Sequence, residues 1–259
     1  MSTYNIVAAT NEATVVTEYT PEGRRATEHQ SEAELERDFI KRLGEQGYEY
    51  IKVGSETALI DNLRRQLERL NGYTFTNAEW KRFFSAHLAN ANEGIVEKTR
   101  KIQEDYIQIL KRDNGETKNI YLIDKKIIHN NHLQVLNQYE ETGGAHDTRY
   151  DVTILVNGLP LVHVELKRRG VYIKEAFNQI NRYQRDSFWA ASGLYEYVQI
   201  FVISNGTQTK YYSNTTRNQH IRELGENERR KSKKTSNSFE FTSYWADAKN
   251  KIIPDLVDF

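Results

Sequence analysis

The segment RYDVTILVNGLPLVHVELKRRG, residues 149–170, carries two runs of alternating side chains around Asn157-Gly158. Tyr150, Val152, Ile154 and Val156 alternate with Asp151, Thr153 and Leu155. Val162, Val164 and Leu166 then alternate with Leu161, His163, Glu165 and Lys167. A period of two on both sides of Asn-Gly predicts an antiparallel hairpin. With the apolar sets packed on one core, Asp151, Glu165 and Lys167 share the opposite face. A strict two-residue turn would pair Val156 with Leu159 and set Asp151 across from Val164, on the wrong face. The spacing therefore predicts a three-residue loop, with Gly158 in the left-handed position, or a bulge.

Two carboxylates brought together on one sheet face repel, and a divalent cation between them makes the arrangement favourable. Oxygen donors without Cys or clustered His suit Mg²⁺ or Mn²⁺ rather than zinc. Such an ion polarises a phosphoryl oxygen and acidifies water, and an adjacent ammonium such as Lys167 can position that water or neutralise developing charge. A Glu-x-Lys triplet by itself is common on any solvated strand. It gains weight from Asp151, an acid embedded in an apolar strand one hairpin earlier with matching face parity. His163 shares that face and reads as a structural neighbour before a catalytic base.

Working outward, a chain of 259 residues can bury a large core. It reads as one domain with an elaborated N-terminal half. The absence of Cys excludes a disulfide framework and thiolate zinc sites, and the seven His residues show no metal-cage spacing. A reducing cytoplasm fits. No apolar run approaches the roughly 18 residues of a membrane span, and the first residues lack the pattern of an export signal. With 36 basic and 36 acidic residues, contact with nucleic acid must come from local clustering. Between Lys167 and Arg185 stand Lys167, Arg168, Arg169, Lys174, Arg182 and Arg185 against Glu175 alone.

Elsewhere, residues 1–30 read as a loose arm or edge strand. Ser31 and Glu34 form a capping box before a helix with Leu35, Phe39, Ile40 and Leu43 on one face and Gly47 as its stop. A strand over 48–53 follows, then helices over about 56–70 and 77–90, the second with Asn77 as its cap. Residues 101–126 predict two strands joined by Asn114-Gly115, and 127–140 a third extended segment. After the hairpin come a helix over 171–189, a buried strand over 197–206 and a shorter one over 207–214. The basic run within 214–238 has no apolar periodicity and predicts a flexible, solvated loop. Residues 31–213 would form the core and 239–259 a C-terminal segment.

Asp151 and Glu165-Leu166-Lys167 resemble the signature of the PD-(D/E)xK nuclease superfamily, with Tyr150 where Pro usually precedes the Asp. More specifically, RYDVTILVNGLPLVHVELKRRG, EAFNQINRYQRDSF and IFVISNGTQTKYY together resemble the N-terminal endonuclease region of type I restriction enzyme restriction subunits. SEAELERDFIKRLGEQGYEYI and NIYLIDKK extend the likeness across most of the chain. The resemblance implies an α/β fold, a restriction-endonuclease-like core with a central mixed β-sheet flanked by helices. It implies Mg²⁺ held by Asp151, Glu165 and the Leu166 carbonyl, with Lys167 as the catalytic lysine. Glu36 aligns with the acidic residue of the superfamily's first helix, Glu32 being the other candidate.

Gln179 and Tyr183 match the Q-x-x-x-Y motif of the RecB-like branch. Four apart on a helix, they share a face that can meet DNA or brace the site, beside Arg182. Arg168 and Arg169 are natural phosphate contacts, of which at most one can line the cleft, because alternate side chains on a strand diverge. The implied reaction is hydrolysis of unmodified duplex DNA. The implied partners are modification and specificity subunits, with ATP confined to a motor in the parent subunit, because this chain has no GxxxxGK[ST] loop. A chain ending just before that motor is the expectation. The alternatives are a stand-alone RecB-like or Holliday-junction nuclease, and a DNA-binding or assembly module without catalysis.

Overall fold

The computed structural model describes residues 6–11, 14–16, 31–141, 144, 147–214, 238–247 and 249–257. The flexible loop expected over 214–238 lies, apart from its two end residues, outside the described residues, as does most of the arm over 1–30. Within that arm, β1 (Ile6–Ala9) and β2 (Thr14–Val16) pair antiparallel as a separate ribbon.

α1 (Glu32–Glu45) opens with the expected box: the Ser31 hydroxyl accepts the Glu34 N–H, and the Glu34 carboxylate accepts the Ser31 N–H. It buries Leu35, Phe39 and Leu43 and stops before Gly47, whose φ of +91° suits glycine. β3 is shorter than expected, Glu49–Tyr50, and is followed by α2 (Glu56–Asn71) and α3 (Asn77–Phe83). The cap of α3 is Thr76 and not Asn77. Thr76 exchanges hydrogen bonds with Glu79 in a second capping box, and a π-helical turn, Phe84–Leu88, continues the helix.

α4 (Ile95–Gln103) is absent from the sequence-based expectation. Its inward positions include Lys98 and Lys101, buried by ion pairs to Glu196 and Glu93, so the apolar period is broken where the core begins. β4 (Ile107–Lys111) and β5 (Thr117–Tyr121) form the expected ribbon around Gly115 but stand apart from the main sheet.

β6 (Leu133–Glu141), β7 (Thr148–Val156), β8 (Leu159–Leu166), α5 (Ile173–Asp186), β9 (Ile200–Ser204), β10 (Thr209–Ser213) and β11 (Ser243–Tyr244) complete the fold. The seven-stranded sheet runs β11-β10-β9-β8-β7-β6-β3. β8 and β9 are parallel across the α5 crossover, β3 and β6 are parallel, and the other pairs are antiparallel. The fold is α/β, a central mixed sheet flanked by helices, consistent with a restriction-endonuclease-like architecture.

Both faces of the sheet are buried. Val135, Val152, Val164 and Leu166 pack against Leu35, Phe39 and Leu43 of α1. Leu155, Phe201 and Ile203 on the other face join α2, α5 and an aromatic cluster containing Tyr139, Tyr150, Phe188 and Tyr195. The face expected to be polar is therefore covered rather than solvated, and His163 and Glu165 are fully buried.

The hairpin solves its parity with a bulge. Asn157 (φ +51°) and Gly158 (φ +82°) form a two-residue turn, with Val156 opposite Leu159 and Leu155 opposite Pro160. The register then shifts, pairing Ile154 with Val162 and Val152 with Val164, so Leu161 is the extra residue. Pro160, which has no N–H to offer the ladder, sits beside it. Gly158 is also required by packing: a Cβ there would lie 2.6 Å from the Leu63 Cα of α2.

Candidate active site

β7 and β8 pair only as far as Val152 and Val164. Beyond that point β8 continues along β9, with Glu165 opposite Ile203 and Leu166 opposite Ser204, while β7 continues along β6. The Leu166 N–H would be orphaned at this fork. The Asp151 carboxylate accepts it at 2.9 Å, a side chain taking the place of the departing strand. The bulge at Leu161 is what brings Asp151 into step with Glu165 here.

Glu165 Oε1 accepts from the Lys167 ammonium at 3.0 Å, and the same Nζ lies 3.0 Å from the Leu166 carbonyl oxygen. Glu165 Oε2 has no hydrogen-bond partner among the described residues, the His163 Nε2 being 3.5 Å away. Burial, and then the charge of Glu165, push the Asp151 carboxyl up to about 7. Burial pushes Glu165 up to about 7 as well, against the pull of Lys167. Burial works against the Lys167 ammonium, but Glu165, Asp151 and Glu32 outweigh it and raise its pKa. Burial drives the His163 imidazole down to about 4, so the ring is neutral near pH 7.

The surrounding side chains divide clearly. Gln179 donates to the Tyr183 hydroxyl, which donates to the Arg149 carbonyl at 3.0 Å. Tyr183 packs edge-on against Tyr150 and His163, and the charges of Glu165 and Asp151 reinforce burial in raising its pKa. Gln179 and Tyr183 thus form one unit bracing the start of the Asp151 strand. Arg182, on the same helix, is exposed.

Glu36 and Glu32 take different places. Glu36 is buried and accepts from Asn137 Nδ2 at 2.5 Å and from the Gln138 side chain. Gln138 is the β6 residue between the Asn137–Val152 and Tyr139–Tyr150 pairs, and its φ is +52°. Glu36 therefore fixes the backbone opposite Asp151. Glu32 accepts the Arg168 N–H at 3.2 Å, and its charge is the one that reaches Glu165 and Lys167. Arg169 is tied down structurally: its guanidinium donates to the Gly206 carbonyl at 3.0 Å and lies 3.8 Å from Asp255. Arg168 is the exposed member of that pair.

Asn137 and Gln138 escaped the sequence-based account, and Tyr150, expected on the apolar face with Val152, instead joins the aromatic cluster on the opposite face. The only local signal was Tyr150 in the position before Asp151. Its ring fills the core between β7 and α5, and its hydroxyl donates to Ser187 Oγ at 2.7 Å. Among the described residues no three His, Cys, Asp or Glu side chains gather around one point. The donors that do converge are two carboxylates, one with a partnerless oxygen, and a carbonyl that now meets the ammonium of Lys167. This oxygen-only set fits a hard divalent cation, with the Leu166 carbonyl completing what two side chains begin.

Comparison with known proteins places the chain. The family described as the type I restriction enzyme R protein N terminus matches residues 29–220. The chain is 46% identical over 254 residues to the type I restriction enzyme EcoprrI endonuclease subunit of Escherichia coli, covering 98% of this chain and 76% of that protein. It is 39% identical over 191 residues to the SsaAORF53P endonuclease subunit of Staphylococcus saprophyticus. It is likewise 39% identical over 193 residues to the SauCOLORF180P endonuclease subunit of Staphylococcus aureus. Those two matches cover 72% of this chain but only 20% of either relative. Among the described residues no helix is long and apolar enough to cross a membrane.

Proposed function

The chain belongs to the family of type I restriction enzyme R protein N termini and carries that subunit's endonuclease role, and from this premise we propose that the β7–β8 fork hydrolyses phosphodiester bonds with a divalent metal. The observation that carries the proposal is the convergence of Asp151 and Glu165 at the point where β7 and β8 part. Asp151, Glu165 and the Leu166 carbonyl would hold Mg²⁺ or Mn²⁺. That ion, when bound, supplies Lewis-acid polarisation of a phosphoryl oxygen and a more acidic water.

The chain's own residues do the rest. Lys167 keeps a positive charge at the edge of the fork, where it can meet phosphate and the negative charge that develops on it. Asp151 stays aligned because the Leu166 N–H holds one of its oxygens. Glu36, through Asn137 and Gln138, fixes the neighbouring backbone, and Gln179 with Tyr183 fixes the strand start. Neutral His163 and the aromatic cluster behind it exclude water from the Glu165 side. The exposed Arg168 and Arg182 would meet DNA phosphates, and Arg169 holds the loop that carries Arg168. Glu32 shares the polar mouth of the site.

Duplex DNA is the proposed substrate. Coupling to an ATP-driven translocase and to modification and specificity subunits, in the cytoplasm, is the proposed setting, and target choice would come from the specificity subunit. The whole chain is proposed to act as one endonuclease unit. Titration calorimetry with Mn²⁺ and Mg²⁺ tests the centre of this reading. The wild type should bind, and Asp151→Ala and Glu165→Ala should each lose the heat. Three indistinguishable isotherms would leave an assembly module without catalysis.

A further inference from the structure

Beside the fork, on the β9 side, lies a cleft of about 450 Å³. Tyr172 and Lys174 line it from the loop that leaves β8 and enters α5, Gln208 from the turn after β9, and Phe239 and Tyr244 from the edge of the sheet, with Lys210 at its base. No carboxylate is among its lining residues. Tyr172 is 83% exposed, which is unusual for so large a ring. The Lys210 ammonium lies 4.6 Å from the centre of the Phe239 ring and 4.4 Å from that of Tyr244. Lys174 lies 5.8 Å over Phe239.

The cleft is built onto the catalytic strand. The Lys167 N–H bonds the Ser204 carbonyl at 2.8 Å, Asn205 donates to the Val171 carbonyl at 2.7 Å, and Arg169 bridges to Gly206. The two loops that form its walls are therefore fixed to each other and to Lys167. An exposed phenol ring in a cleft lined by two lysines and no carboxylate is the chemistry that holds a nucleotide: the base stacks and the phosphate is neutralised. The volume is that of a small-ligand pocket, too small to admit a duplex.

We propose that this cleft takes one unstacked nucleotide of the DNA strand adjoining the phosphate to be cut, with its base on Tyr172 and its phosphate on Lys174. This rests on the nuclease reading of the fork and adds a requirement to it. The DNA held by the chain must have a base free to leave the stack, so gapped or frayed DNA is preferred over uninterrupted duplex.

The test uses the 259-residue chain and fluorescence anisotropy in EDTA, with a labelled duplex carrying a short single-stranded gap and the same duplex uninterrupted. Wild type should favour the gapped DNA. Tyr172→Ala and Lys174→Ala should each weaken gapped binding roughly tenfold and remove the preference, whereas Tyr172→Phe keeps the stacking ring and the affinity. Lys126→Ala, in a separate lysine-containing cleft by the β4–β5 ribbon, should change nothing.

Wild-type affinity in the Tyr172→Ala and Lys174→Ala proteins would overturn the proposal. Mn²⁺-dependent cutting of the same DNA by wild type, and not by Glu165→Gln, separates this failure from failure of the nuclease reading. Cutting with normal binding by the cleft variants sinks the cleft alone. Binding that depends on Tyr172 and Lys174 without any cutting sinks the nuclease reading and keeps the cleft as a DNA site. A wild type that binds neither DNA removes both.

Discussion

Glu79 and Glu165 are both sealed from solvent, at 2% and 0% exposure, and their carboxyls respond in opposite directions. Glu79 caps α3 beneath the surface. Burial works against its charge, but the Thr76 and Asp113 N–H groups at 3.0 Å and the Tyr73 hydroxyl at 2.8 Å overcome it, and its pKa is lowered. Glu165 lies deeper, in the middle of the sheet. It has one ammonium on one oxygen and no hydrogen-bond partner on the other, and its pKa is pushed up to about 7. A carboxylate whose hydrogen bonds are met by its own fold is a structural part, and one left short of them beside a second acid is a place for a ligand.

The largest effect that could break this contrast is catalytic. Glu165→Gln should lower metal-dependent cleavage by at least about 10³-fold, and Glu79→Gln should leave cleavage untouched in a protein that remains folded. Single-turnover cleavage assays at equal metal concentration make the comparison. Equal losses in the two variants would erase the distinction between ligand site and structural cap.

Next in size is the pH dependence of stability without metal. Asp151 and Glu165 titrate near 7 when folded, against ordinary values of 3.8 and 4.5, so the folded chain holds protons that the unfolded chain releases. Their contribution is complete in acid and is lost as pH rises through about 7. His163, lowered from 6.5 to about 4, contributes with the opposite sign: its share is present above pH 6.5 and lost on acidification toward 4. Between pH 6 and 8 the two carboxylates together outweigh His163. Urea unfolding over that window should show stability falling by about 2 kcal/mol. Saturating Mg²⁺ should cancel the fall by binding the folded, ionised pair, and Glu165→Gln should remove much of it. A profile that is flat in EDTA would refute the strained pair.

The same contrast predicts that Glu79→Gln lowers stability by about 2 kcal/mol, because an amide cannot accept everything the carboxylate accepts. Equilibrium unfolding at pH 8 measures it, and an unchanged midpoint would show that the cap is dispensable. The smallest difference separates two neighbouring arginines. Arg168→Ala should weaken DNA binding a few-fold with stability intact, whereas Arg169→Ala should cost about 1 kcal/mol of stability. Anisotropy titration and thermal melting together distinguish them.

Much of this architecture is legible locally. The Ser31–Glu34 box starts α1, Asn157-Gly158 turns the hairpin, and the conflict between a two-residue turn and face parity already demands an irregularity. Asp151, Glu165 and Lys167 stand out for the same reason, being charges placed out of phase with an apolar period of two. Legibility fails where polar side chains face inward. Lys98 and Lys101 conceal α4, and Thr76 takes the capping role that Asn77 seemed suited to. Neither Glu32 from Glu36 nor Arg168 from Arg169 can be separated by spacing, because each pair is assigned by contacts with distant segments.

By itself, then, the sequence determined most strand and helix phases, the hairpin and the charged triad within it, since caps, turns and periodicity act over a few bonds. Only the tertiary structure decided that Leu161 would be the bulged residue, that β7 and β8 would part beside Asp151, and that both faces of the sheet would be covered. Burial and an orphaned Glu165 oxygen arise when remote segments remove water from a site. Those segments, and not the triad's own neighbours in the chain, give three ordinary charges the burial on which the proposed cation site rests.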